Sequence, residues 1–143
     1  MIVPDVNVLV HAWQPSSAEH ERYRVWLEDA VNGTELIGLA HVVLSGTLRV
    51  LTHPRIFEQP ADAASVLERV ETLRLRSSTV EITPNRQTWV EFAKLCRATD
   101  AVGNDVPDAY LSALAISNGA TLVTADRGFA RFPGLRWTHP LDS

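Results

Sequence analysis

Asp5, Asp108 and Asp126 are the side chains of this sequence best placed to do chemistry together. Asp5 closes the opening apolar run "MIVPD", Asp126 closes "ATLVTAD", and Asp108 follows Asp105 in "NDVPD". Carboxylate oxygens from separate parts of a chain suit a hard cation such as Mg²⁺ or Mn²⁺, and such an ion in turn holds phosphate. Each acid also has a local reading. Asp5 suits a cap on a following helix, Asp105 and Asp108 together suit a helix N-terminus, and Asp126 before "RG" suits a turn. Asp105 is either a cap or an extra acid at the rim of the site.

The elements around these acids decide whether they meet. Residues 1–5 read as a short strand, with a helix starting just after Asp5. "SSAEHERYRVWLEDAVNG" (16–33) reads as a helix capped by Ser16 or Ser17 and ended by Asn32-Gly33. A strand over 35–40, a helix over 41–54 stopped by Pro54 and a helix over 61–75 follow. Then come a strand over 78–83, helices over 85–98 and 106–119, a buried strand over 120–126 and a short strand near 135–137. Strands alternating with helices imply a parallel sheet covered on both faces. In such sheets ligands bind beyond the carboxyl ends of the strands, where Asp5 and Asp126 fall.

Composition narrows the function classes. A net charge of -4 argues against a generally basic nucleic-acid coat. All but Lys94 of the 13 basic residues are arginine, a side chain suited to bidentate phosphate contacts. Arg127 and Arg131 beside the last acid, and Arg49 and Arg55 around the "THP" turn, are candidate phosphate contacts. The single cysteine, Cys96, excludes an internal disulfide and is expected of a cytoplasmic protein. No apolar run approaches a membrane span. The five histidines lack metal-ligand spacing, and Trp13, Trp26, Trp89 and Trp137 are expected in the core. An aspartyl-phosphate enzyme is disfavoured, because Asn7 stands where a phosphatase needs a second aspartate and the only lysine lies in a helix.

Three stretches, "PDVNVLVHA", "VVLSGTLRVLTHPRIF" and "GNDVPDAYLSALAISNGATLVTADRGFARFPGLRW", resemble the PIN-domain toxins, in particular the VapC ribonucleases of mycobacterial toxin–antitoxin pairs. The resemblance implies one PIN domain over 1–143, built as a three-layer α/β/α sandwich around a mainly parallel sheet. It implies a Mg²⁺- or Mn²⁺-dependent ribonuclease in which Asp5, Asp108 and Asp126 are the catalytic metal ligands. Asn7 and Thr124 match positions that would support them; Asp105 is not part of that pattern and is a candidate compensating acid. The resemblance further implies an RNA substrate such as tRNA or rRNA, a homodimer and a VapB-type antitoxin; the three aspartates would draw a basic residue of that inhibitor among them. Two positions depart from the pattern. The helix "HVVLSGTLRV" carries no glutamate, and Ser117 stands where an acid is expected. The alternative is a catalytically degenerate PIN domain that binds RNA or a partner without cleavage.

Overall fold

The computed structural model describes residues 1–142. Its elements are β1 (Ile2–Pro4), α1 (Val6–Trp13), α2 (His20–Asn32), β2 (Ile37–Ala40), α3 (His41–Leu51) and α4 (Ala63–Arg74). They continue with β3 (Thr79–Ile82), α5 (Arg86–Thr99), α6 (Asp105–Ser117), β4 (Thr121–Val123), a 3₁₀ turn (Arg127–Arg131) and β5 (Trp137–Thr138). The five strands form one sheet in the order β3-β2-β1-β4-β5, and every pairing is parallel. The expected three-layer α/β/α architecture is therefore present.

Its winding follows from handedness. The chain moves outward from β1 to β2 to β3, then returns across the sheet to β4. Right-handed crossovers consequently place α1 to α4 on one face and α5 and α6 on the other. Both faces of the central strands are covered, so β1 and β4 need apolar side chains pointing both ways. Val3, Leu122 and Val123 are buried accordingly, between Val8 and Leu9 of α1 and Ala109, Ala113 and Leu114 of α6. The connections leave β1 and β4 in opposite directions, which opens a crevice beyond the ends of these two neighbouring strands. Asp5 and Asp126 follow those ends.

Three local expectations are corrected. The helix expected from residue 16 begins at His20, with Glu19 at φ 63 before it and no side-chain cap. Gln14 turns the chain first: its side chain accepts from the Ser16 amide at 3.4 Å and its carbonyl accepts from the Ser17 amide at 3.0 Å. The helix expected up to Pro54 ends at Leu51, consistent with the restriction that proline imposes on preceding residues. Trp89, expected in the core, is 66% exposed; α5 turns Leu95 and Thr88 inward and leaves Trp89 outside against Phe92. No helix of the described residues is long and apolar enough to cross a membrane.

Gly46 lets α3 pass close to the start of α1. A Cβ at this position would lie 2.9 Å from Val6 Cγ2, inside contact distance. Alanine would gain about 1 kcal/mol of helix propensity, but overpacking costs about 1–3 kcal/mol. Gly46→Ala is therefore expected to lower stability by about 1 kcal/mol, measured by urea unfolding; a more stable variant would show that this contact relaxes freely.

Candidate active site

The register of β1 against β4 brings the first two acids together. Ile2, Val3 and Pro4 pair with Thr121, Leu122 and Val123, and the Asp5 amide donates to the Val123 carbonyl at 2.9 Å. Asp5 thus stands beside Thr124, whose side chain is completely buried. The Thr124 hydroxyl donates to Asp5 Oδ2 at 2.7 Å and accepts from the Asp126 amide at 3.0 Å. Asn7 completes the link: its Nδ2 donates to Asp5 Oδ2 at 3.2 Å, and its Oδ1 accepts from the Ala125 amide at 3.0 Å. Asp5 Oδ1 takes the Val6 amide at 2.7 Å, so Asp5 caps α1 as well as facing the crevice. Asp126 has a similar double placement, its Oδ1 accepting from the Gly128 amide at 2.8 Å.

Asp108 arrives from the other direction. A helix that precedes a strand in a crossover runs antiparallel to it, so the first turn of α6 lies at the carboxyl edge of the sheet. Asn104 occupies the cap position, and Asp105 is the first helical residue. Asp105 is therefore an extra acid in that turn rather than its cap. Its Oδ1 accepts from Arg131 Nη2 at 3.2 Å, and Asp108 Oδ2 accepts from the same nitrogen at 3.1 Å.

The electrostatics show that Asp5, Asp108 and Asp126 share one neighbourhood. Burial raises the Asp5 carboxyl above its ordinary range; the Thr124 and Val6 hydrogen bonds oppose this, while the charges of Asp108 and Asp126 add to it. Burial likewise raises Asp108, against the pull of Arg131 and with added pressure from Asp126 and Asp105. Two partly buried carboxylates with other acids beside them are a donor set that a hard divalent cation would relieve. As they stand, no three acid or histidine side chains among the described residues are spaced to hold an ion. The Arg131 guanidinium pairs with Asp108 Oδ2, on the carboxylate such an ion would share. The donor chemistry fits the cation, with a resident positive charge in place.

A groove of about 440 Å³ adjoins the acids, lined by Asp5, Asp108 and Arg49 with Val42, Val43 and Pro107 among its walls. The wall from α3 supplies no carboxylate, as "HVVLSGTLRV" implied. The second missing acid loses its importance. Ser117 is nine residues beyond Asp108, roughly 14 Å along the helix, and its hydroxyl lies 2.7 Å from that of Thr88. The candidate phosphate contacts divide. Arg127 is engaged by Asp142 through both terminal nitrogens, at 2.9 and 3.1 Å, and Arg131 by Asp105 and Asp108. Arg49 and Arg55 form no ion pair among the described residues. The Arg127 and Arg131 pairings escaped sequence reasoning, because nothing in the spacing ties residue 131 to 108 or 127 to 142.

The family model described as PIN domain matches residues 2–135. The chain is 43% identical over 142 residues to ribonuclease VapC43 of Mycobacterium tuberculosis, covering 99% of this chain and 97% of that protein. It is 32% identical over 140 residues to ribonuclease VapC25 of the same organism, covering 98% and 99%. Among solved structures it resembles VapBC-1 from nontypeable Haemophilus influenzae, with a TM-score of 0.70 at 16% identity, covering 99% of this chain and 100% of that one. It also resembles Mycobacterium tuberculosis VapC20, a sarcin-ricin loop cleaving toxin, with a TM-score of 0.61 at 18% identity over 95% and 99% of the chains.

Two outcomes follow from this network. Thr124→Val leaves Asp5 Oδ2 without its hydroxyl donor and the Asp126 amide without its acceptor, and is expected to cost about 1–3 kcal/mol in thermal or urea unfolding. The second concerns pH. The folded protein holds the Asp5 proton more tightly than the unfolded chain, whose aspartate titrates at 3.8. That contribution is fully present below pH 3.8 and is lost as pH rises through the native titration. In metal-free protein, Asp5→Asn should therefore gain stability relative to wild type as pH is raised from about 4 to 7. Parallel stability–pH curves would remove the burial of Asp5 as a cause.

Proposed function

The chain belongs to the PIN-domain family, and from that premise we propose that it is a metal-dependent endoribonuclease toxin of the VapC type, hydrolysing RNA phosphodiesters and restrained by a VapB-type antitoxin. What supports the reading is that Asp5 and Asp126 follow the neighbouring strands β1 and β4, with Asp108 in the first turn of α6 lining the same groove as Asp5, in a chain 43% identical to a VapC ribonuclease over nearly its whole length. Residues 1–143 act as one PIN domain, in the cytoplasm.

In this mechanism Asp5, Asp108 and Asp126 would hold Mg²⁺ or Mn²⁺. When bound, such an ion lowers the pKa of water and offsets charge on the phosphate. The chain's own groups then do the following. Thr124 and Asn7 fix Asp5 through Oδ2, leaving little rotamer freedom in the ligand. The Gly128 amide fixes Asp126 in the same way. One of the three carboxylates accepts the proton of the attacking water. Arg49, on the groove wall, and Arg55, beyond the end of α3, take flanking phosphates of a structured RNA such as tRNA or rRNA.

The antitoxin reading draws on the same charges and on the helices around them. Like charges crowded at Asp5 and Asp126 favour a basic side chain from the antitoxin as inhibitor. A separate groove of about 570 Å³ between α2 and α4, lined by Trp13, Leu27, Val31 and Leu73, gives the rest of its segment an apolar seat. The toxin pairs as a homodimer.

Asp5→Asn, Asp108→Asn and Asp126→Asn are each expected to reduce cleavage of total RNA at least about 100-fold, beyond the usual cost of losing an outer-shell group, with the circular dichroism spectrum unchanged. Chelation should abolish cleavage and added Mn²⁺ restore it. A folded wild-type protein that cuts no RNA with either ion would instead support the non-cleaving alternative, which the absence of a carboxylate on the α3 wall favours.

A further inference from the structure

Arg131 is held on four sides. Its Nη1 donates to the Gly128 carbonyl at 2.5 Å. Its guanidinium carbon lies 4.4 Å from the centre of the Phe132 ring, and Phe132 is itself buried. Its Nη2 reaches Asp105 and Asp108 at 3.2 and 3.1 Å. Gly128 preserves this arrangement, since a Cβ there would come within 3.1 Å of Arg131 Nη1 and 2.9 Å of Asp126 Oδ1. The guanidinium is thus positioned before anything binds.

The contact with the acids is nonetheless of a weak kind. Guanidinium and carboxylate pair most strongly through two parallel hydrogen bonds. Here a single nitrogen is divided between two carboxylates one helical turn apart, and the Arg131 side chain remains 34% exposed. A doubly charged cation competing for Asp108 need break only one of those two bonds. The Phe132 ring, the Gly128 carbonyl and Asp105 keep the guanidinium in place when it does.

We propose that Arg131 is a built-in counter-ion that neutralises Asp108 in the metal-free protein, yields that carboxylate to an incoming divalent cation, and is retained on Asp105 while the cation is bound. This rests on the reading of Asp108 as a cation ligand. Arg131 is then a positioning residue that sets how tightly the site binds its ion, and Asp105 is its parking place rather than a further ligand. In metal-free protein the arginine also keeps Asp105 and Asp108 together against their mutual repulsion.

The test is calorimetric titration of the full chain, free of any antitoxin, with Mn²⁺ alone. Arg131→Met keeps the apolar stem over Phe132 and removes the competing charge, so Mn²⁺ should bind about fivefold tighter, the equivalent of one half-exposed ion pair. Asp105→Asn should weaken Mn²⁺ about threefold in the wild-type background and have no measurable effect in the Arg131→Met background, because its influence passes through the arginine. Arg131→Gln serves in the same cycle if the methionine variant does not fold. Equal or weaker binding by the folded Arg131 variant overturns the proposal, as does an Asp105→Asn penalty of the same size in both backgrounds. Asp108→Asn separates the two levels: if it binds Mn²⁺ as wild type does, the reading of Asp108 as a ligand fails. A loss there with no gain at Arg131 removes only the counter-ion.

Discussion

One buried hydroxyl joins the two ends of this chain's chemistry. Thr124 Oγ1 donates to the carboxylate after β1 and accepts from the amide of the aspartate after β4. Both acids therefore inherit their positions from the parallel pairing of two three-residue strands in the middle of the sheet. That pairing is set by apolar packing on both faces, through Val3, Leu122 and Val123, which is indifferent to the charges beyond its edge. The scaffold can consequently hold carboxylates at separations they would not choose. Burial first, and the neighbouring carboxylates second, leave Asp5 and Asp108 holding their protons more tightly than usual.

What the sequence made legible divides along the same line between local and tertiary causes. The strands after which Asp5 and Asp126 stand are short apolar runs closed by an acid, and the alternation with helices fixes a parallel sheet. The edge carrying Asp5 and Asp126 is thus legible in the sequence. Asp105 could not be resolved between cap and rim acid, because both readings share its spacing from Asp108; only the position of Asn104 decides. The start of α2 is not legible because two serines look like caps, whereas Gln14 binds the backbone that they would organise. Trp89 defied expectation because ring size predicts burial only where the helix turns that face inward.

The arginines show why composition was a poor guide to the surface. The two that follow Asp126 are consumed by the protein's own acids: Arg127 by Asp142, and Arg131 by the first turn of α6. Arg49, on the groove wall opposite α6, and Arg55, just past α3, are among the arginines that form no ion pair within the described residues. A polyanion would meet a surface that is basic on one side and acid-lined beneath. Orientation along the groove, rather than overall attraction, is what such a distribution supplies in a chain of net charge -4.

The close approach of Gly46 to Val6 has an evolutionary side. The two residues lie on opposing helices and both line the groove beside Asp5. Widening or narrowing it at one position changes what the other can tolerate: a methyl group on residue 46 becomes acceptable when residue 6 gives up its own. Substitutions at 6 and 46 are thus epistatic. Relatives that diverge in the shape of this cleft would be expected to exchange bulk between the two sites as a pair, since either step taken alone passes through a less stable intermediate.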